Sequence, residues 1–553
     1  MTSIVNVAAR LAEQARARPD AQAVIAAGRA EAGGRRRYTS LTFRELDEDS
    51  DRIARGMCDL GVEPGMRLAL LVKPGIDFVS LVFALFKAGA VTILIDPGMG
   101  RSNLVGCLAA AEPEGFIAIS PVQAVRTLLR RRFPRARFNV TVGRRWFWGG
   151  PTLDELRARK WTGPELAPTR SDDPAAIIFT TGSTGPPKGV LYRHGNFDRQ
   201  VDEIRDFYDI RPGEIDLACF PLFGLFNSAM GVTTVVPDMD ASRPALADPA
   251  TLVQAITDCN VTQSFASPAV WNRVGPYCAT HGLTLPTLKR VMSAGAPVPP
   301  YVLERMKACL GEGGEVHTPY GATEALPVAS ISATEVLSET AERNEQGAGV
   351  CVGRHFPGIE WKLVRVVDGP IDTITAAEEL PPGEIGELIV RGPVVTSQYV
   401  TRTEWNKLAK IRDGDMFWHR MGDVGYCDDR ERFWYCGRLS HRVLTAAGPM
   451  YTEQCEAIFN NHPAIYRSAL VGVGTAGDQR PVIIVEPLVD RMPITLNDRQ
   501  ALLVQMREVA ATNPLTAGIH DVLIHPSFPV DIRHNAKIFR EKLAVWAAAE
   551  LRA

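Results

Sequence analysis

Hydrophobic positions along the chain recur in two alternating textures. Short apolar runs of strand length at residues 68–72 and 91–95 flank a segment, 77–86, that reads as a helix. Strand, helix and strand at this spacing predict α/β layering with parallel pairing. The pattern returns at 175–180, followed by a glycine-rich loop and a helix carrying Phe197, Val201, Ile204 and Phe207 on one face. A strand–loop–helix unit of this kind is where open α/β sheets bind ligands. Residues 3–18 place Ile4, Val7, Ala8, Leu11 and Ala15 at helical spacing behind Ser3 as a cap, which predicts a surface helix rather than a signal peptide. From about residue 346 the texture changes to short β runs at 361–367, 386–390, 424–427 and 433–436, the pattern of a smaller β subdomain. Beyond about 439, strand runs at 469–472 and 482–486 and helices near 502–509 and 539–551 predict a small α+β domain. The expected fold class is therefore α/β. A large N-terminal body, 1–439, has layered sheets and a β-rich part, and a smaller mobile C-terminal cap spans 440–553.

Composition narrows the class. In 553 residues, 61 Lys and Arg against 63 Asp and Glu leave a formal charge of −2, which gives no sign of a nucleic-acid binder. The apolar stretches are far shorter than the ~20 residues that span a bilayer. Ten cysteines are scattered singly, without a CxxC pair or a Cys/His cluster at zinc spacing, so the expectation is a cytoplasmic enzyme with reduced thiols. One local charge run stands out. Arg126, Arg130, Arg131, Arg132, Arg135 and Arg137 are interleaved with Leu128, Leu129, Phe133 and Phe138. It reads as a solvated helix face, or as a docking face for an acidic partner enzyme or a membrane surface.

The densest candidate chemistry is Thr180-Thr181-Gly182-Ser183-Thr184-Gly185-Pro186-Pro187-Lys188-Gly189, directly after the strand at 175–180. Glycines let backbone N–H groups approach phosphate oxygens, hydroxyls add donors, and Lys188 adds positive charge. A Walker A loop needs Gly-Lys-Ser/Thr, and here Pro187 precedes the lysine and Gly189 follows it.

This block resembles the phosphate-binding signature of the adenylate-forming superfamily of acyl-CoA synthetases, luciferases and peptide-synthetase adenylation domains. Tyr320-Gly321-Ala322-Thr323-Glu324 is similar to the family's Tyr-Gly-x-Thr-Glu, and Ser293-Ala294-Gly295-Ala296-Pro297 to its adenine-lining segment. The resemblance implies that Tyr320 stacks on adenine, Thr323 contacts the α-phosphate, and Glu324, with Thr184, holds Mg²⁺ beside ATP. Asp423 in Met421-Gly422-Asp423 and Arg438 in Gly437-Arg438 take the ribose-binding places. Lys537, after Asn535-Ala536, takes that of the catalytic lysine. The resemblance runs from Leu41-Thr42-Phe43-Arg44-Glu45-Leu46 to Lys537.

Three departures bear on the second half-reaction. Gly224 follows Pro221-Leu222-Phe223 where thioester-forming members often carry an aromatic residue or histidine, Ser440 stands at the usual charged hinge, and Ala536 replaces the glycine before the lysine. They favour a branch that finishes its chemistry without CoA, and the branch most resembled makes β-lactones in bacterial long-chain olefin biosynthesis. That implies a long-chain 2-alkyl-3-hydroxy acid, adenylated and then closed by its own hydroxyl, and assembly with neighbouring enzymes of that pathway, with the arginine run as docking face. His194 is a candidate base for the closure, or a structural or capping histidine. Phe220, Phe223, Phe226, Met230, Phe265 and Trp271 are candidate walls of an acyl pocket, or core. The alternatives are a thioester-forming acyl-CoA or fatty-acyl-AMP ligase and an inactive nucleotide-binding scaffold.

Overall fold

The computed structural model describes residues 5–30, 36–159, 166–180, 186–530 and 537–552. A six-stranded sheet has the spatial order Phe138–Val142, Gly115–Ile119, Arg67–Leu71, Val91–Leu94, Pro174–Phe179 and Gly189–Arg193. The first five strands pair in parallel, as expected from the alternating pattern, and the last is antiparallel. The crossover helix Ile76–Lys87 is buried continuously from Phe78 to Lys87. A helix apolar on all sides belongs between layers, and its terminal Lys87 is neutralised there by Asp47 at 2.6 Å and Asp51 at 2.5 Å. Both aspartates lie on the helix Phe43–Asp59, started by a Thr42–Glu45 capping box.

The second sheet has fourteen strands. Its middle is parallel from Thr233–Val236 through Ile215–Ala218, Gln263–Ala266 and Arg290–Ser293 to Glu315–Ala322. The β-rich part expected from about 346 is not a separate sheet. Val350–His355 pairs with Ala325–Ser332 through Ala329 opposite His355 and Ser330 opposite Arg354, so the β runs extend the large sheet. This continuity brings Met416–Cys427 and Phe433–Arg438 beside the parallel strands that carry the sequence motifs.

Beyond Arg438, Ile465–Val473, Arg480–Pro487 and Asp521–Ile524 form a three-stranded sheet. Along Arg480–Pro487, Val482 and Ile484 enter one apolar cluster with Leu543, and Ile483 and Val485 enter another with Phe459 and Met506. Period-2 alternation between two apolar clusters means that helices cover both faces.

Three local expectations change. The first helix is Ala9–Ala17, shorter than 3–18, although Val7 and Ala8 before it are buried; Ser3 and Ile4 lie outside the described residues. The arginine run is not one helix face. Its helix ends at Leu128, Arg126 turns back to Gln123 at 2.8 Å, and Arg135 pairs with Glu112 and Glu114. The loop after 175–180 leads into the antiparallel strand Gly189–Arg193, not directly into the helix, which begins at His194. The strands on either side of the hydroxyl-rich segment are therefore an antiparallel pair, and the helix starts only after the second of them.

Candidate active site

Thr180 and Lys188 are paired just beyond the strands Pro174–Phe179 and Gly189–Arg193. Thr180 N donates to Lys188 O and Lys188 N donates to Thr180 Oγ1, each at 3.0 Å. Thr181, Gly182, Ser183, Thr184 and Gly185 lie outside the described residues. The Lys188 ammonium sits between two rings, 4.9 Å from the centre of Tyr399 and 4.7 Å from that of Trp405. Burial lowers its pKa against the opposing pull of Glu324. Facing it, Glu324 Oε1 accepts the Tyr399 hydroxyl at 2.7 Å, while its main-chain oxygen accepts Thr396 N and Oγ1, both at 2.9 Å. Tyr192 donates to Thr323 O at 2.7 Å. Gly321 is required by space, because a Cβ there would meet Ala325 O at 2.7 Å.

A second group of motifs meets on adjacent strands. Asp423 and Arg438 are directly opposite in the antiparallel pair of Met416–Cys427 and Phe433–Arg438. Arg438 Nη1 lies 3.0 Å from Asp423 Oδ1 but donates to Met421 O, so Oδ1 is left without a hydrogen bond, while Tyr320 donates its hydroxyl to Oδ2. Burial, helped by the Glu324 charge, raises the Asp423 pKa, opposed by Arg438, the Tyr320 hydroxyl and Lys537. An ionic acceptor with an unused oxygen suits paired ribose hydroxyls, so the residues fit a nucleoside. Gly295, Ala296 and Pro297 follow the strand Arg290–Ser293 and line the same space as Tyr320, Gly321, Thr323, Glu324, Asp423, Arg438 and Lys537. That space is a cavity of about 1730 Å³, with Thr180 and Lys188 also on its wall.

The acyl-pocket residues divide. Phe220, Phe223, Phe226 and Phe265 line the cavity, with the Phe223 and Phe265 rings stacked at 3.7 Å. Met230 and Trp271 do not. Met230 lies inside the main apolar core, and Trp271 packs in the cluster around the helices Pro249–Asp258 and Pro268–His281, its indole donating to Met292 O at 3.3 Å. His194 also lies off the wall. It is fully buried against Phe86, Nδ1 accepts Val7 N at 3.4 Å, and burial pushes its pKa down to about 4. It is a packed histidine, with no path to a substrate hydroxyl.

Tyr399, Trp405 and Lys410 were not legible as site residues. They fall between the strands Gly386–Arg391 and Met416–Cys427, and only the fold carries them to Lys188 and Glu324. Among the described residues no cluster of three or more His, Cys, Asp or Glu could hold a metal ion. Glu324 is a carboxylate on the cavity wall within the electrostatic reach of Lys188. This donor set fits Mg²⁺, which binds through one or two carboxylates and substrate phosphates.

Residues 11–400 match the family described as AMP-binding enzyme. The chain belongs to that family. Over their full lengths, olefin beta-lactone synthetases are similar to it. That of Xanthomonas campestris pv. campestris is 46% identical across 100% of this chain and 99% of its own, and that of Stenotrophomonas maltophilia is 48% identical across 99% and 98%. The fold is shared with solved enzymes along the whole chain. The amide bond synthetase McbA of Marinactinospora thermotolerans aligns with a TM-score of 0.78 at 22% identity, over 98% of this chain and 99% of that one. O-succinylbenzoate coenzyme A synthetase of Bacillus subtilis, in complex with AMP, aligns with a TM-score of 0.74 at 19% identity, over 98% of both. Among the described residues no helix is long and apolar enough to cross a membrane.

Proposed function

We propose that this AMP-binding enzyme is an ATP-dependent β-lactone synthetase acting on long-chain 2-alkyl-3-hydroxy acids. The observation that carries this reading is its 46–48% identity, from end to end, to olefin beta-lactone synthetases. In the first step a carboxylate oxygen attacks the α-phosphorus of ATP, the bond to the β-phosphate oxygen breaks, and pyrophosphate leaves. Lys188 and the hydroxyls of Thr180 and Thr323 face the phosphates, and Lys537 meets the charge on the forming bond. Tyr320 and residues 295–297 bracket the adenine, and Asp423 with Arg438 holds the ribose. Glu324 and Thr184 would hold Mg²⁺, which supplies positive charge to the phosphate oxygens when bound.

In the second step the 3-hydroxyl oxygen attacks the acyl carbon, its proton passes to solvent, and the carbon–oxygen bond to AMP breaks. The nucleophile belongs to the same molecule, so positioning replaces an incoming acceptor. Gly224 supports this ending. It is buried in the helix Phe223–Met230, and a Cβ there would already press on Thr234 Cγ2 at 3.1 Å, which leaves little room for the aromatic residue or histidine of thioester-forming members. Ser440 stands in the short turn Leu439–His441, and Ala536 lies outside the described residues. Arg130, Arg131 and Arg132 are exposed and make no ion pair among the described residues, which supports their use as a docking face for a neighbouring enzyme.

The test is to incubate the protein with Mg·ATP and a 2-alkyl-3-hydroxy acid, with and without CoA, and identify the products at low temperature. The expected outcome is AMP, pyrophosphate and a product lighter than the acid by one water, independent of CoA. Strict CoA dependence with a thioester product would replace this reading by an acyl-CoA ligase.

A further inference from the structure

The cavity exceeds an ordinary small-ligand site. Its volume of about 1730 Å³ compares with the ~300–1,000 Å³ of an ordinary small-ligand site. The nucleotide-binding groups gather at Tyr320, Asp423 and Arg438, and the stacked phenylalanines form one apolar wall along the carboxyl ends of the large sheet. The six-stranded sheet contributes a second. Leu71 ends one strand and Val72 follows it, Ile95 follows the next, Ile119 ends a third, and Leu104 and Val122 join them from the helices Arg101–Ala110 and Ser120–Leu128.

These six side chains are only part-buried, whereas Leu68, Ala69, Ile93, Phe116 and Ile117 within the same strands are fully buried. They line the cavity at the carboxyl edge of the sheet, where Leu71, Ile95 and Leu104 also pack beside Ala69 and Ile93 and Val72 packs beside Leu68 and Leu70, so side chains from both faces meet over the strand ends. Apolar surface left in contact with water is unfavourable, and several such side chains gathered over the strand ends mark a place for an apolar ligand. The wall also has a direction. Thr180 follows the strand Pro174–Phe179, and Val91–Leu94, Arg67–Leu71 and Gly115–Ile119 come next in spatial order. Three interstrand steps carry the wall ~14 Å from the phosphate loop to Ile119, the reach of a long alkyl chain. Lys73 and Asp96 are charged residues along it, and Asp96 accepts Gly98 N at 2.8 Å.

We propose that this aliphatic wall over the strand ends, which includes Ile119, Leu104 and Val122, holds one of the two hydrocarbon chains of the acid, while the aromatic wall holds the other. The inference rests on the β-lactone reading, whose substrate branches at C2 and so carries two tails. A straight-chain acid has a single tail and leaves one wall bare.

Two homologous series of 2-alkyl-3-hydroxy acids test it, one varying the 2-alkyl chain and one the chain beyond C3. The parent, Ile119→Phe and Ile119→Ala are compared by kcat/KM for AMP release. Ile119→Phe is expected to lower kcat/KM at least tenfold for the long members of one series, and to leave its short members and the other series unchanged. Ile119→Ala should extend the accepted length in that same series. Equal effects on both series, or none, with an active parent would overturn the second-chain site and leave the lactone reading standing. A parent that forms lactone from no member of either series would remove both.

Discussion

Tyr399 donates its hydroxyl to Glu324 Oε1 at 2.7 Å, and the Lys188 ammonium lies 4.9 Å from the centre of the same ring. One side chain, remote in sequence from both partners, fixes a carboxylate and carries a cation on its face. Burial and the neighbouring carboxylate raise the phenol pKa, so Tyr399 remains a donor at neutral pH. Tyr399→Phe keeps the ring under Lys188 and deletes only the bond to Glu324. A hydrogen bond to a charged group contributes ~1.5–3 kcal/mol, so a loss of roughly ten- to a hundredfold is expected. It should appear in the Mg²⁺ requirement of ATP–pyrophosphate exchange, with the KM for the acid little changed. An unaltered Mg²⁺ requirement would show that Tyr399 does not orient a metal ligand.

Asp423 has one oxygen taken by Tyr320 and one facing Arg438 without a hydrogen bond. If the open acceptor takes the ribose hydroxyls, Asp423→Asn should raise the KM for ATP by ten- to a hundredfold and narrow the preference for ATP over 2′-deoxy-ATP. Steady-state kinetics with both nucleotides reads this directly. A variant that keeps the parent's discrimination would place the ribose elsewhere.

Arg540 opens the C-terminal helix three positions after Lys537 and grips Glu456 with both arms, Nε to Oε1 at 3.0 Å and Nη2 to Oε2 at 2.5 Å. Removing one partner of a buried ion pair costs ~3–5 kcal/mol, so Glu456→Gln should lower Tm. It should also slow adenylation by loosening the segment that carries Lys537. Lys537→Ala alone should depress adenylate formation strongly. In that background Glu456→Gln should add no further rate loss while its stability loss persists, because coupled positions are not additive. Fully additive rate losses would separate the pair from the lysine.

The motif residues were legible because each chemistry needs particular residue types in a fixed order, and the short strands because apolar runs of that length have few other uses. What escaped depended on long-range placement. Tyr399 and Trp405 have no local signature, and nothing in their neighbourhood points to Lys188. A tryptophan and a methionine beside the pocket read the same as Phe223 and Phe265 in sequence, but helix rotation turns Trp271 and Met230 into the core. The β runs after 346 were visible as strands. Their continuity with the large sheet rests on the pairing of Ser330 with Arg354, which no periodicity encodes.

Lys410 gives the pH prediction. Its ammonium bonds to Thr396 O and lies 4.9 Å from the centre of the Phe417 ring, and burial brings its pKa down to about 7 despite the attraction of Glu324. The unfolded chain has an ordinary lysine near ~10.4. Below pH 7 both states hold the proton, and above ~10.4 neither does. Between them the unfolded state binds more protons, so stability rises with pH, by at most about 1.4 kcal/mol per unit. Burial lowers the Lys188 pKa as well, which adds a contribution of the same sign, while His419 is pushed well below its usual range and stays neutral throughout the window. The difference between the parent and Lys410→Met therefore isolates this lysine. Urea unfolding of both proteins at pH 7, 8 and 9 should show the parent gaining stability relative to the variant as pH rises. A constant or shrinking difference would mean that Lys410 keeps its proton in the folded protein.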